Sequence, residues 1–187
     1  MIAGEWRGRR IQFPDAASLR PTPDRVRETL FNWLQAVVGA ARCLDLFAGS
    51  GALGVEALSR GAASAVFVER DAQVAQALRA TLATLGATRG RVVERDVTAF
   101  LQGPAEPFDL VFVDPPYAQG GQGELCTLLE SRGWLATDAW IYLELAARDA
   151  RPALPDGWVL WRETRAGGVQ GLLARRRAAS GQAVDGT

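Results

Sequence analysis

The sequence predicts an α/β fold: a doubly wound, mainly parallel sheet with an antiparallel C-terminal hairpin and a small N-terminal arm. Three observations carry this. After Gly39, short apolar runs alternate with longer stretches of helical periodicity, and strands alternating with helices imply a parallel sheet covered on both faces. The first run leads through Gly49-x-Gly51-x-x-Gly54 into a helical stretch, the strand-turn-helix order of ligand-binding α/β sheets. The last two runs, Trp158–Thr164 and Val169–Arg175, are joined by Ala166-Gly167-Gly168 and read as a hairpin.

Taken in order, Ile2–Phe13 holds two short runs around Trp6-Arg7-Gly8-Arg9, which predicts a hairpin or an extended arm. Thr22 then caps a helix with Pro23 in its first position and Asp24 at the positive end of its dipole. Val26, Leu30, Leu34 and Val37 form its apolar face. Strands are expected at Arg42–Leu46, Ala65–Glu69, Arg91–Glu94, Phe108–Val113 and Trp140–Glu144, with helices near 52–60, 71–85, 97–102 and 121–131. The helix at 71–85 is the best marked, with Asp71 as cap, Val74, Leu78, Leu82 and Leu85 at helical spacing, and Gly86 to end it. The expected organisation is an arm and docking helix over 1–38, a sheet domain over 39–177, and a small polar tail over 178–187 that is disordered.

With 187 residues, 48% of them apolar, the chain can bury a substantial core and has the length of one domain. No run approaches the roughly 18 apolar residues of a membrane span, and the N-terminus lacks the apolar core of a signal peptide. These features predict a cytoplasmic protein without a membrane partner. Cys43 and Cys126 stand in apolar surroundings, and no histidine is present, so reduced buried thiols are expected and no metal site. The net charge is zero, which speaks against a nucleic-acid partner unless the basic groups are clustered. Residues 1–27 do cluster them, with six arginines against three carboxylates. All 21 basic residues are arginine; the planar guanidinium suits phosphate, while the complete lack of lysine has the look of a composition bias.

The glycine turn allows the backbone to approach a ligand at a helix N-terminus. By itself it serves dinucleotides as well as S-adenosylmethionine. Asp45, four residues before Gly49, favours the second, because a carboxylate there meets the cationic amino group of the donor's methionine part and repels a pyrophosphate. The competing reading of Asp45 is a turn or cap residue. Glu69 ends the second strand where an acid can bind both ribose hydroxyls. Asp96 is a candidate acceptor for the adenine amino group or, equally, a helix cap, and Val97 a candidate to pack on the ring. The expected cofactor set is therefore Asp45, Phe47, Ala48, Gly49, Ser50, Gly51, Glu69, Arg70, Asp96 and Val97.

The fourth strand runs into Asp114-Pro115-Pro116-Tyr117. Two prolines fix a rigid turn at the carboxyl edge of the sheet, where such folds bind ligands. An exocyclic amine on a base is a poor nucleophile because its lone pair is delocalised. The Asp114 carboxylate and the Pro115 carbonyl could hold its hydrogens and turn the lone pair towards a methyl group, with Tyr117 stacked on the extruded base. Methyl transfer is an in-line displacement that gains from proximity and orientation, so neither a strong base nor a metal is required. The competing reading is a plain proline turn with Asp114 as a cap.

On these residues the chain resembles the bacterial 16S ribosomal RNA guanine-N2 methyltransferase D family, over residues 1 to about 177. The resemblance is carried by Ile2–Arg9, Arg20-Pro21-Thr22-Pro23-Asp24-Arg25-Val26-Arg27-Glu28-Thr29-Leu30-Phe31-Asn32, Asp45–Gly54 with Leu58-Ser59-Arg60-Gly61-Ala62, and Val113–Tyr117. It implies a class I, Rossmann-like methyltransferase fold, S-adenosylmethionine as methyl donor, and guanine N2 in 16S rRNA of the small ribosomal subunit or its assembly intermediate as target. It also implies an N-terminal arm that helps hold RNA, with Arg7, Arg9, Arg10, Arg20 and Arg25 as candidate phosphate contacts or, in the competing reading, ordinary solvated surface charges; a monomer is expected. The chain departs from the family in having no lysine and in lacking a tyrosine expected in the Gly167–Leu173 hairpin. The rival activities are adenine-N6 methylation of DNA or RNA, which uses the same turn chemistry, and an NAD-dependent oxidoreductase, for which no histidine, lysine or tyrosine pattern supplies hydride chemistry.

Overall fold

The computed structural model describes residues 1–9, 24–116 and 121–177. Among them α1 (Asp24–Trp33) precedes an alternation of β1 (Arg42–Leu46), α2 (Ala52–Ser59), β2 (Ser64–Glu69), α3 (Ala72–Leu85), β3 (Gly90–Glu94), α4 (Val97–Leu101), β4 (Phe108–Val113) and α5 (Gln122–Ser131). Three strands finish the chain: β5 (Leu135–Ala146), β6 (Trp158–Ala166) and β7 (Val169–Arg176). The sheet order is β3-β2-β1-β4-β5-β7-β6, with β1 to β5 mutually parallel and β7 antiparallel to both neighbours. The chain winds outward from β1 to β3, then returns to β4 on the other side. That reversal between β1 and β4 is the place where the connections diverge and leave a crevice at the carboxyl ends.

Because side chains alternate across a strand, the sheet has two cores. One holds Cys43, Phe67, Leu110, Phe112 and Tyr142 under α1, α2 and α3, and the other holds Leu44, Val68, Val111, Val113 and Leu143 under α4 and α5. Both cysteine thiols are free and buried, and burial pushes that of Cys126 up to about 12.

Most expected elements match within a residue or two. Asp71 caps α3 by accepting from the Gln73 and Val74 amides, and Gly86 ends it at φ 67°. The helical face of α1 differs: Phe31 and Val38 are buried with Val26, Leu30 and Leu34, while Val37 is only half-buried. Phe31 packs against Phe112 with the rings tilted by 48° and 6.0 Å between centroids, so the aromatic turns inward. β5 begins five residues earlier than expected, because a bulge between Phe108 and Leu110 brings Leu135 as well as Trp140 into register. β6 and β7 meet at Gly167-Gly168, with φ of 60° and 81°, the two positive values a tight hairpin turn needs.

The arm is the main correction. Its described part, residues 1–9, contains no strand and is not extended; it folds as consecutive turns, with Arg7 N donating to Gly4 O and Arg9 N to Trp6 O. The turns dock on α2. Glu56, fully buried, accepts from Ile2 N at 2.9 Å, Ala3 N at 3.1 Å and Arg60 Nε at 2.7 Å. Ser59 accepts from Glu5 N through its carbonyl and from Trp6 N through its hydroxyl, and that hydroxyl donates to Ala3 O. Gly4 sits at φ 83°, where a Cβ would lie 1.8 Å from Ser59 O. Trp6 is thereby buried against the α1/α2 core. The expected cap Thr22-Pro23 and the tail 178–187 lie outside the described residues.

Candidate active site

Four carboxylates stand at the carboxyl ends of four adjacent strands. Glu69 ends β2, Asp45 is next to last in β1, Asp114 follows β4 and Glu144 lies near the end of β5. Each shares parity with an inward residue of the α1/α2 core: Phe67, Cys43, Phe112 and Tyr142. For Asp114 the alternation continues past the strand because Pro115 confines the preceding residue to extended backbone. The sheet thus brings together the glycine turn, Glu69 and the proline turn that the sequence separates.

Asp45 is 2% exposed. Its Oδ2 accepts from Gly54 N at 2.8 Å, in the first turn of α2, so it acts as a cap reaching across from the strand. Burial pushes its carboxyl up to about 8, eased by the Gly54 amide and reinforced by the charge of Glu69. Gly54 has no room for a side chain, since a Cβ would lie 2.3 Å from Phe67 and 3.0 Å from Asp45 Oδ2. Between Asp45 and α2 the chain turns through Phe47 at φ 61°, Gly49 at 51° and Gly51 at 72°. Phe47 is a non-glycine residue in the left-handed region, a conformation kept where surroundings enforce it and common at binding sites. Ala48 N donates to Val68 O at 2.9 Å, Ala48 is buried, and Ser50 is half-buried.

Glu69 holds the turn from the other side. Its Oε2 accepts from Gly49 N and its Oε1 from Asp71 N, both at 2.9 Å. Arg70 is exposed beside it. Asp96 caps α4, accepting from Ala99 N at 3.1 Å, and Val97 is buried in the α4/α5 core with Phe100 and Leu101. Asp114 is half-buried, Pro115 buried and Pro116 exposed; Tyr117 lies outside the described residues. Arg7, Arg9 and Arg25 are exposed on the layer that covers the carboxylate face, and Arg10 and Arg20 lie outside the described residues.

The sequence reading missed Glu144 and Tyr142. Tyr142 Oη donates to Glu144 Oε2 at 2.9 Å, both groups being buried. The signal was available, since Glu144 closes the fifth expected strand as Glu69 closes the second. Glu56 was missed too, hidden among alanines and leucines of a helix whose face is buried all round.

The donor set suits a cationic ligand. Two carboxylates flank the glycine turn, and Phe47–Gly51 holds no basic group to balance a pyrophosphate. Among the described residues no three metal-ligating side chains gather at one place, and no helix is long and apolar enough to cross a membrane.

Comparison with known proteins identifies the family and the fold. The model of the family described as Conserved hypothetical protein 95 matches residues 1–174. Ribosomal RNA small subunit methyltransferase D of Escherichia coli (strain K12) is 51% identical over 178 residues, covering 95% of this chain and 90% of that protein. The protein of the same name from Haemophilus influenzae is 42% identical, covering 89% of this chain and 88% of its own. The solved structure described as "Putative methyltransferase yhhF from Escherichia coli" superposes with a TM-score of 0.88 at 49% identity, over 95% of this chain and 97% of that one. The fold is of the class I, Rossmann-like methyltransferase type.

Proposed function

The chain belongs to the Conserved hypothetical protein 95 family and to the small-subunit ribosomal RNA methyltransferase D family, and from that premise we propose that it methylates the exocyclic N2 of a guanine in 16S ribosomal RNA. The observation that carries this reading is the placement of Asp114-Pro115-Pro116 beside the glycine turn: Val113 pairs with Leu46, so an amine-holding turn and a donor-holding turn leave neighbouring strands at one edge. The relatives' names support rRNA of the small subunit as substrate.

S-adenosylmethionine, when bound, supplies a methyl group on a sulfonium, ready for in-line displacement. Asp45 offers its carboxylate to the ammonium end of that donor, and Gly49, Ser50 and Gly51 present backbone to it. Glu69 accepts from the ribose hydroxyls with the lone pairs that Gly49 and Asp71 leave. Asp96 and Val97 frame the adenine. On the substrate side the Asp114 carboxylate and the Pro115 carbonyl accept the two amine hydrogens, which aims the nitrogen lone pair at the incoming carbon and removes the orientational part of the barrier. The amine proton would turn acidic as the nitrogen takes the methyl group and the carbon–sulfur bond breaks, and Asp114 would receive that proton or only orient the amine. Tyr117 stacks on the base, and Arg7, Arg9, Arg10, Arg20 and Arg25 hold phosphates. In this reading residues 1–38 serve RNA, 39–177 catalyse, 178–187 form a tail, and a monomer acts in the cytoplasm on the small subunit or its precursor.

The test is methylation of small subunits from a strain lacking the enzyme, followed by mapping of the modified nucleotide. N2-methylguanine in 16S rRNA is expected. N6-methyladenine, or no product with S-adenosylmethionine while NAD binds tightly, would overturn the reading.

A further inference from the structure

Glu144 has no part in the mechanism above, yet its carboxyl group is buried to 2% exposure at the active edge. Val113 of β4 pairs with Leu143 of β5 on strands about 4.8 Å apart, so Asp114, the first residue past β4, and Glu144 are the next positions along that register. Both belong to the α1/α2 face. A carboxylate taken out of water is costly unless its lone pairs are used, and the structure supplies a dedicated donor in Tyr142 Oη. Room for that donor comes from the opposite strand: Gly171 pairs with Glu144, and a Cβ there would lie 2.7 Å from Tyr142 Oη. The pair is therefore built in, with one oxygen of Glu144 fixed by Tyr142.

We propose that Glu144 reads the Watson–Crick edge of the target base by accepting guanine N1–H while Asp114 accepts from N2, so that the site selects guanine over adenine. The inference rests on the amino-methylation reading above and adds what chooses the base. Guanine carries N1–H and the N2 amine as adjacent donors, which two adjacent carboxylates can accept together. An adenine presenting its N6 amine to Asp114 would turn the unprotonated N1 towards Glu144, setting lone pair against carboxylate with no hydrogen between them. Rejection of that kind is strong, because it leaves two buried acceptors facing each other with no donor between them.

The test uses small subunits reconstituted with the target guanine replaced by 2,6-diaminopurine, which keeps the N2 amine and lacks the hydrogen on N1. The wild-type protein should prefer guanine by about 10- to 100-fold in kcat/KM, the effect of one charge-assisted hydrogen bond. Glu144→Gln keeps the acceptor for Tyr142 and can donate an amide hydrogen to the bare N1, so the preference should fall to a few fold or reverse, with affinity for S-adenosylhomocysteine unchanged. A role in folding alone would lower turnover on both bases equally and keep the preference, which would overturn the proposal. If Glu144→Gln does not fold, Tyr142→Phe should narrow the same preference by loosening the carboxylate, and an unchanged preference would overturn it as well. Should the wild-type protein fail to methylate unmodified subunits at all, the underlying reading falls first, and that failure is visible before any variant is made.

Discussion

Replacing Asp45 with Asn should make the empty protein more stable at neutral pH while weakening its hold on the cofactor. The carboxyl titrates at 3.8 in the ordinary case and is pushed up to about 8 by burial in the fold. A carboxyl raised in this way favours the folded state while protonated; its contribution is complete below pH 3.8 and is lost as pH rises towards about 8. By linkage each pH unit in that window costs about 1.4 kcal/mol, so the ionisable group penalises the wild-type protein by ~4 kcal/mol at pH 7 and by ~1 kcal/mol at pH 4.5. Asn keeps an oxygen for Gly54 N and never ionises. Urea unfolding of both proteins at the two pH values measures the difference directly, and the advantage of Asp45→Asn should grow by roughly 3 kcal/mol between them. In parallel, calorimetric titration with S-adenosylhomocysteine near pH 7 should show proton release by the wild-type protein and none by the variant. A variant less stable than wild type at pH 7, or an advantage independent of pH, would refute the reasoning.

Four further outcomes are expected. Gly54→Ala would ordinarily favour a helix by ~1 kcal/mol, but the Cβ meets Phe67 at 2.3 Å, so the unfolding free energy from denaturant titration should fall by about 1–3 kcal/mol and cofactor binding should drop; a stabilised variant would contradict the packing. Gly4→Ala forces a side chain onto Ser59 O and should release residues 1–9, read out as a red shift of Trp6 emission and early N-terminal proteolysis, with unchanged spectra counting against the docking. Asp114→Ala should abolish methyl transfer and leave S-adenosylhomocysteine affinity within a few fold; retained turnover removes Asp114 from the mechanism. Replacing Arg7, Arg9 and Arg25 together by Ala should flatten the salt dependence of RNA binding by about 2 in the log–log slope if all three meet phosphates, and an unchanged slope assigns them to solvent.

The sheet was legible because its central strands are apolar on both faces and end in turn residues, and because α3 between them carries one clear stripe. Asp45, Glu69 and Asp114 could be named early since each closes such a strand beside a glycine or proline turn. What the sequence did not disclose lies in partners far apart along the chain. Asp45 reads as a ligand carboxylate or as a cap alike until Gly54 N is seen on its Oδ2. Glu144 looks like one more polar residue at a strand end until the register sets it beside Asp114. The arm was misjudged for the same reason: the contacts that fold Ile2–Trp6 are made with Glu56 and Ser59, more than fifty positions away, and local propensity carries no trace of them.

That distance has a consequence for the order in which the molecule is made. At about 5–20 residues per second, ribosomal synthesis needs roughly 3–10 s to pass from Trp6 to Ser59, and for that interval the tryptophan has nothing to pack on. The opening segment is thus translated first and settled late, waiting on a helix that cannot close before Gly54 and Glu56 emerge. A lesion in α2 would leave behind a nascent chain with an exposed tryptophan at its front, the kind of surface that chaperones and proteases inspect.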